Sequence, residues 1–378
     1  MKNRESNFEL MRVISMLLIV MYHILVHGNY INNCSQESLK TFYTIVDFFT
    51  LVHVNSFVLL SGYFQSKNHF KLHKLLSLFI QVIFYSEVLL IVASKIGTAT
   101  NVTVAMHINN FLPSTISNYW FINFYIIVYI LSDYLNKFIN KLDYKEFKYL
   151  LIVLFVIFSI LPYFSGQKFL YNTGFNFYNF IFLYFIGAFL RLYPLKKSEL
   201  LNKISNNSYN LIMILTFIFC AVINFMLYNL SSTLPSDGSV LKEISERLAS
   251  NHVSYASPFV IIQTIAYFEL FNNMKIPNNK FINYLSSTTF GVYLIHDNIY
   301  VREFLYKLLK IDKGVGTITG YSTIANLLLY TIGIFIGCVI IESVRKLAEK
   351  AIIKIPFIKK KILKIKEYFT SFNINLEW

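Results

Sequence analysis

Apolar runs long enough to cross a membrane recur along the whole chain and are separated by short polar connections. A helix needs about 20 mainly apolar residues to cross the hydrocarbon layer, and these runs approach that length. The pattern predicts an all-α integral membrane protein, built as a bundle of about ten transmembrane helices. The predicted spans lie near residues 10–27, 43–64, 75–95, 119–136, 149–164, 177–192, 209–229, 253–271, 286–306 and 323–343.

The placement of the basic residues predicts the orientation of this bundle. Lysine and arginine are concentrated in alternate connections, among them 65–74, 137–148 and 191–203. Cytoplasmic connections carry the excess of basic residues in membrane proteins, so we expect both termini in the cytoplasm. The connection 301–322 fits this rule less well, because it would lie outside the cell and carries several basic residues.

Composition and charge agree with a membrane protein and exclude other classes. The 378 residues are 55% hydrophobic and 14% charged, an apolar excess that the core of a soluble domain does not require. The net charge of +14 lies mostly in the short connections, so nucleic acid is not an expected partner. Residue types with AT-rich codons are abundant, which favours a bacterial source and hence the cytoplasmic (inner) membrane.

The chain divides into two predicted regions. Residues 1–345 form the transmembrane domain, and residues 346–378 form a basic, amphipathic cytoplasmic tail. Basic and apolar residues alternate in this tail, a pattern typical of segments that lie on the anionic inner leaflet. Such segments are common as anchors, so we expect no catalytic role for it.

Arg12 and His23 carry the clearest chemical signal, because both interrupt the first apolar run. Eleven residues of helix turn through three full turns with only about 20° left over, so the two side chains share a face, about 16 Å apart along the axis. An arginine near the inner surface can bind phosphate, and a desolvated histidine can act as a general base. The alternative is structural: Arg12 anchors the helix at the interface, and His23 makes a helix contact.

The end of the second span and the connection after it form a second candidate region. Ser61 and Tyr63 are polar side chains there, and between them Gly62 permits close approach of another backbone. Lys67, Lys71 and Lys74 follow and are spaced to share one cytoplasmic helical face. These lysines either bind phosphate or only fix the topology.

Further polar residues lie inside later spans. Glu87 needs a partner, either Arg12 or a histidine, or else a proton. Trp120 opens the fourth span, where a residue of the interfacial belt is the ordinary interpretation. In the ninth span Tyr293 lies one turn before His296, which could share a cavity with His23 and His53. The histidines show no tight ligand spacing, so we expect no metal site.

The tenth span contains two glycines four residues apart, Gly333 and Gly337. This G-x-x-x-G pattern is typical of closely packed membrane helices. We therefore expect a helix–helix contact there.

Four motifs in order along the chain resemble the acyltransferase-3 family of integral membrane acyltransferases. They are the pair Arg12 and His23 in R-x10-H spacing, FVLLSGYF at the end of the second span, YWFINFY at the start of the fourth, and TFGVYLIHDN in the ninth. The resemblance covers nearly the whole chain and fits the stand-alone form, without the fused SGNH hydrolase-like domain of some members. Many members have arginine where this chain has Lys67, Lys71 and Lys74.

The resemblance implies an O-acetyltransferase that moves an acetyl group from acetyl-CoA to a hydroxyl of a cell-envelope glycan, a capsular or exopolysaccharide, or a lipid-linked sugar. It implies that His23 is essential. Arg12 and the three lysines would bind the acyl donor, and no permanently bound cofactor is expected. Other residues would line the cavity or stabilise the oxyanion that forms on the thioester carbonyl during transfer. The candidates are Ser61, Tyr63, Glu87, Trp120, Tyr293 and His296.

A transporter or polymerase of glycan intermediates is the alternative, since such proteins also have many spans and a basic charge. A polymerase would have long external loops rich in arginine, and a transporter would have paired repeats with broken helices. Neither feature is visible in the sequence. A sensory or scaffold protein would leave the membrane-buried Glu87, His23 and His296 unexplained.

Overall fold

The structure, a computed structural model, describes residues 4–28, 30–31, 34, 36–111, 119–165, 174–233, 254–309, 311 and 321–357. Within these ranges every regular element is helical, which confirms the predicted all-α class. The helices are α1 (Ser6–His27), α2 (Glu37–Thr50), α3 (Val52–Gln65), α4 (Leu72–Lys95), α5 (Val104–Phe111), α6 (Trp120–Ile139), α7 (Tyr144–Phe155), α8 (Leu161–Ser165), α9 (Phe177–Leu192), α10 (Asn206–Thr233), α11 (Pro258–Asn273), α12 (Lys280–Ser286), α13 (Thr289–His296), α14 (Arg302–Leu308) and α15 (Tyr321–Ile353).

Six helical segments in the described part of the chain are long and apolar enough to cross a membrane. They are Ser6–His27, Glu37–Gln65, Leu72–Lys95, Tyr144–Phe164, Asn206–Leu230 and Ile324–Ile353. Two helices at the other predicted spans, α9 and α11, are short, with 16 residues each. A multi-pass membrane protein is therefore confirmed, and the six segments account for part of the predicted bundle.

The ninth predicted span, 286–306, differs from the prediction of one continuous helix. Helix α13 ends at His296, a turn follows, and α14 begins at Arg302. Asp297 caps the end of α13 and accepts a hydrogen bond from Arg302. Asn298 accepts the N–H of Tyr300 and donates its amide to Tyr119. Because side chains satisfy the polar groups of this turn, the helix can break within an apolar stretch.

Helix α15 runs through the predicted domain boundary at residue 345 and ends at Ile353. Residues 358–378 of the predicted tail lie outside the described residues.

Helix α1 lies at the centre of the described structure and packs against α2, α3, α11, α12, α13 and α15. One apolar cluster joins it to α4, α13 and α15, through residues such as Val20, Leu294 and Phe335. A second cluster joins it to α3, α9 and α11, through residues such as Phe8 and Phe182. Because one side of α1 is buried in each cluster, the helix is held in a fixed position between two layers of helices.

Helices α3 and α9 cross at two glycines. A Cβ atom on Gly62 would lie 2.1 Å from the carbonyl oxygen of Tyr184, and one on Gly187 would lie 2.1 Å from that of Leu59. The close backbone approach predicted at Gly62 is therefore confirmed. The expected contact at Gly333 and Gly337 is wrong for the described residues, because a Cβ on either glycine would meet nothing within 4 Å.

Glu342 fixes α13 against α15. It is fully buried, accepts two hydrogen bonds of 2.8 Å from Arg345 and a third of 2.5 Å from Tyr85 on α4. Its side chain lies over Gly291 of α13, where a Cβ would approach a carboxylate oxygen to 2.5 Å. A buried carboxylate needs such partners, so this ion pair determines where α13, and with it His296, can lie.

We predict that Gly187→Ala destabilises the protein by about 1–3 kcal/mol, because the added methyl group overpacks a backbone contact. Gly333→Ala is the matched control and should leave stability unchanged or raise it by up to about 1 kcal/mol, since the site is open and alanine is the better helix former. Thermal unfolding of both variants in detergent measures the difference. Equal stability of the two variants would contradict the described crossing.

Candidate active site

A cavity of about 590 Å³ opens beside α1, with walls from α1, α3, α4, α6 and α13 and from the segment before α11. Most of its wall is apolar, with a limited set of polar side chains. The polar and titratable wall residues include Arg12, Tyr22, His23, His27, Ser61, Tyr125, Tyr255, Thr289, Tyr293, Asp297 and Arg302. A large apolar pocket with convergent polar groups is the usual form of a site for a small-molecule substrate.

A second cavity of about 250 Å³ adjoins the first. Arg12, Ser61 and Tyr125 line both cavities, and Lys74 and Gln65 line only the second. The shared residues place the cavities end to end. Together they form a path from Lys74, at the start of α4, to His23 in the last turns of α1.

Arg12 has partners within the protein. Its guanidinium contacts the Glu9 carboxylate at 2.9 Å and lies over the ring of Phe64, 5.3 Å from the ring centre. Glu9 also accepts a hydrogen bond from Ser286 of α12. The Arg12 side chain is still 27% exposed, so it can reach a ligand in either cavity. Arg12 and His23 line the same cavity, in agreement with their shared helical face.

His23 and His296 form a hydrogen-bonded pair across α1 and α13. His23 Nδ1 lies 3.0 Å from His296 Nε2, and His296 Nδ1 lies 2.6 Å from the carbonyl oxygen of Val292. A carbonyl oxygen only accepts, so His296 carries its proton on Nδ1 and Nε2 is its acceptor. His23 therefore donates from Nδ1. Its Nε2 lone pair is left for a ligand.

Asp297 connects the His23–His296 pair to the positively charged side chain of Arg302. Its carboxylate lies 3.5 Å from His23 Nδ1 and accepts a hydrogen bond of 3.0 Å from Arg302. Arg302 Nη1 also lies 3.3 Å from His27 Nε2. The ligand atoms of His23, His27 and Asp297 lie within 4.8 Å of one another, which a metal ion could use. The spacing of the histidines in the sequence predicted no metal site. In the structure, Arg302 contacts His27 and Asp297, so a positive charge is already present at two of these three groups.

Aromatic side chains line the cavity wall near Tyr255. The Trp120 ring centre lies 4.5 Å from that of Phe175 and 6.1 Å from that of Tyr255, which is stacked on it. Trp120 thus lines the cavity, whereas its position at the start of a span favoured the interfacial belt. Apolar ring faces beside polar groups suit the alternating C–H and hydroxyl surfaces of a sugar.

Two hydroxyl groups in the cavity have different surroundings. Ser61 donates a hydrogen bond of 2.8 Å to the carbonyl oxygen of Phe57. The Tyr293 hydroxyl is buried and has no hydrogen-bond partner among the described residues. A buried hydroxyl without a partner costs free energy, so it points to a group that binds a ligand.

Several predicted site residues lie elsewhere. Tyr63 accepts a hydrogen bond of 3.0 Å from Arg191 and lies outside the walls of both cavities. Glu87 pairs with His107 at 2.8 Å, which resolves the choice between an arginine and a histidine partner. Of the three histidines predicted to share a cavity, His23 lines its wall and the other two do not: His53 lies behind Tyr255, to which it is hydrogen-bonded at 3.2 Å, and His296 lies behind His23.

The three lysines do not share one helical face, because the chain leaves α3 before Lys67. Lys67 lies in the turn that follows α3, Lys71 is the N-cap of α4, and Lys74 lies in the first turn of α4. The prediction of a common face is therefore wrong. Lys74 lines the second cavity, and Lys67 and Lys71 are exposed outside both cavity walls.

Sequence reasoning missed other cavity residues. His27 lies one helical turn after His23, and this spacing of four residues was a signal that it shares the face. Tyr22, Tyr125, Tyr255 and Arg302 gave no such signal, because tyrosine is abundant in the chain and Arg302 was counted only as a topology charge.

Comparisons with known proteins support one assignment. A family model described as an acyltransferase domain matches residues 5–343. Neither the curated proteins nor the solved structures include a match to this chain.

Proposed function

Because the chain belongs to the acyltransferase-3 family of membrane acyltransferases, we propose that it transfers an acetyl group from cytoplasmic acetyl-CoA to a hydroxyl of a cell-envelope or capsular/exopolysaccharide glycan. One observation carries this proposal: two adjoining cavities run from Arg12 and Lys74 to His23, which is hydrogen-bonded to His296. This path would let a donor that is anionic at one end place its reactive end beside a base.

The proposal includes the full topology of about ten spans with both termini in the cytoplasm, in the cytoplasmic membrane. Helices α6, α9 and α11 and the broken segment from α12 to α14 would provide the remaining crossings. The basic residues of alternate connections support this orientation. Lys74 then lies on the cytoplasmic side, and His27 and Arg302 lie on the outer side.

The donor would enter from the cytoplasm. Its phosphates would bind Arg12 and Lys74, with Lys67 and Lys71 as exposed charges near the entrance. The thin pantetheine arm would pass along Ser61 and Tyr125, which line both cavities, so that the thioester reaches His23.

His23 would act as the general base. Its Nε2 takes the proton of the acceptor hydroxyl as the oxygen attacks the thioester carbonyl. The C–S bond then breaks, the acetyl ester is formed, and the departing CoA thiolate takes the proton from His23. Asp297, 3.5 Å from His23 Nδ1, stabilises the imidazolium that exists between these steps.

Tyr293 is the best candidate donor to the oxyanion that develops on the thioester carbonyl. Its hydroxyl is buried, lines the same cavity and has no partner among the described residues. The other candidates have used their protons: His296 donates to Val292 and Ser61 donates to Phe57. A donor that is fixed in a dry cavity stabilises such an oxyanion strongly.

The acceptor would approach from the outer side, against Trp120, Phe175 and Tyr255. This wall gives a sugar ring an apolar face to stack on and leaves its hydroxyls directed to the polar residues of the cavity.

We predict that His23→Gln lowers kcat by about 10²–10⁴-fold, because glutamine cannot take the acceptor proton. His107→Gln is the matched control, since His107 pairs with Glu87 outside both cavities. The measurement is thiol release from acetyl-CoA by purified protein, with envelope glycan as acceptor. Undiminished turnover in His23→Gln would remove His23 from the mechanism. No thiol release by the wild type would contradict acyl transfer and favour a transporter or polymerase.

We predict that Tyr293→Phe lowers kcat by about 10²–10³-fold with little change in the KM for acetyl-CoA, because the lost hydrogen bond forms only as the oxyanion develops. Tyr284→Phe is the control, since this exposed tyrosine donates to Ser343 away from the cavity. A rise in the donor KM at constant kcat would show instead that Tyr293 binds the ground state.

We predict that Arg12→Gln raises the KM for acetyl-CoA about tenfold or more, because a charge-assisted hydrogen bond to phosphate is lost. The KM for S-acetylpantetheine, which has no phosphate, should change much less. Arg191→Gln provides the control, since Arg191 lies on Tyr63 outside both cavities. Equal changes for the two donors would reject a phosphate-binding role.

A further inference from the structure

Arg302 is a charged residue of the cavity wall for which the proposed reaction has no use. It lines the large cavity, and 25% of its side chain is exposed. It also lies in the connection 301–322, whose basic residues fit the positive-inside rule less well than those of the other connections. Topology therefore does not explain why this position carries a cation.

The contacts of Arg302 within the protein use only part of its guanidinium group, which has five N–H donors. Nη1 donates one hydrogen bond of 3.0 Å to Asp297 Oδ1 and one of 3.3 Å to His27 Nε2. Both N–H groups of Nη1 are thus used, and these bonds hold the turn that follows α13. Nε and Nη2 carry the other three N–H groups, and they contact no acceptor in the described part of the chain.

The Nε and Nη2 atoms form one edge of the planar guanidinium. This edge matches the two oxygens of a carboxylate or a phosphate, which accept two parallel hydrogen bonds. Most of the cavity wall is apolar, so such a charge-assisted pair is stronger there than in water. The unused edge of Arg302 therefore favours a ligand with an anionic group.

Asp297 places this edge close to the general base. The same carboxylate oxygen lies 3.0 Å from Arg302 Nη1 and 3.5 Å from His23 Nδ1. A group bound to Arg302 and a hydroxyl bound to His23 would thus be separated by no more than the span of a sugar unit. A ligand that fills both positions carries its anionic group and its reactive hydroxyl on the same unit or on adjacent units.

We propose that Arg302 binds an anionic group of the acceptor, a carboxylate or a phosphate that lies near the hydroxyl to be acetylated. This inference rests on the proposed acyl transfer and specifies its acceptor class: an anionic glycan, built either from uronic acid units or from polyol phosphate units. Arg302 is then a specificity-determining residue, and Asp297 and His27 are the residues that position it.

The test uses purified full-length protein, acetyl-CoA and two matched pairs of acceptors. Methyl glucuronide is compared with its neutral amide, and glycerol methyl phosphate with the neutral glycerol dimethyl phosphate, so that the hydroxyls within a pair are the same. Ester formation is measured by mass spectrometry as kcat/KM. The wild type should prefer the anionic member of at least one pair about tenfold or more, as expected for a charge-assisted hydrogen bond. The pair that shows the preference distinguishes a uronate acceptor from a phosphate acceptor.

In Arg302→Gln the preference should fall to one or below. This variant leaves the Asp297 carboxylate without its cation, and that charge alone would repel an anionic acceptor. The double variant Arg302→Gln/Asp297→Asn removes both charges, and its ratio should stay near one if Arg302 binds the anion. A return to the wild-type ratio in the double variant would overturn the proposal. Because both rates of a ratio come from the same preparation, partial unfolding does not alter it.

Lys307→Gln is the matched control. It removes an exposed cation of α14 that lies outside the walls of both cavities, and it should keep the wild-type ratio. Equal kcat/KM within both pairs in the wild type would overturn the proposal, and so would an unchanged ratio in Arg302→Gln. Transfer to an uncharged envelope glycan and to none of the anionic probes would overturn it as well. No transfer to any probe or envelope glycan would instead overturn the proposed function.

Discussion

A titratable side chain within a bilayer needs a partner, and this requirement organises the protein around α1. Helix α1 carries such groups at two depths, the Glu9–Arg12 ion pair and His23. The groups at both depths contact the same part of the chain: Ser286 donates a hydrogen bond to Glu9, and His296 accepts one from His23. The segment from α12 to α13 is therefore held along α1 by polar contacts that have no substitute in lipid. Glu342, packed on Gly291, holds this segment from its other side.

The sequence was informative for several features whose signal is local. Apolar runs predicted the membrane helices, and helical periodicity brought Arg12 and His23 to one cavity. A single glycine predicted the close approach at Gly62. Each of these depends on residues within a few turns of one helix, where the period of 3.6 residues determines which side chains are neighbours.

Features that depend on distant residues could not be predicted in this way. His23 and His296 are 273 positions apart, so no spacing rule pairs them. The break after His296 depends on Arg302 and Tyr119 satisfying the polar groups of the turn, and Tyr119 comes from another part of the chain. Gly333 and Gly337 have the pattern of a packing motif but lie on an open face, because α15 buries other positions, among them Thr331 and Phe335. A motif fixes which residues share a face and leaves open what that face meets.

A hydrogen-bonded chain ends in the cavity at His23. It begins at the main-chain carbonyl of Val292, passes through the buried His296 and leaves the lone pair of His23 Nε2 open to the cavity. The main-chain carbonyl of a helix cannot change its role, so the direction of both bonds is set by the fold and not by the ligand. The result is a wall with an acceptor at His23 and a buried hydroxyl at Tyr293. In the proposed reaction an alcohol would satisfy the acceptor, and a thioester carbonyl would satisfy the hydroxyl donor. The polarity of the cavity would thus separate the roles of the two substrates before either one binds.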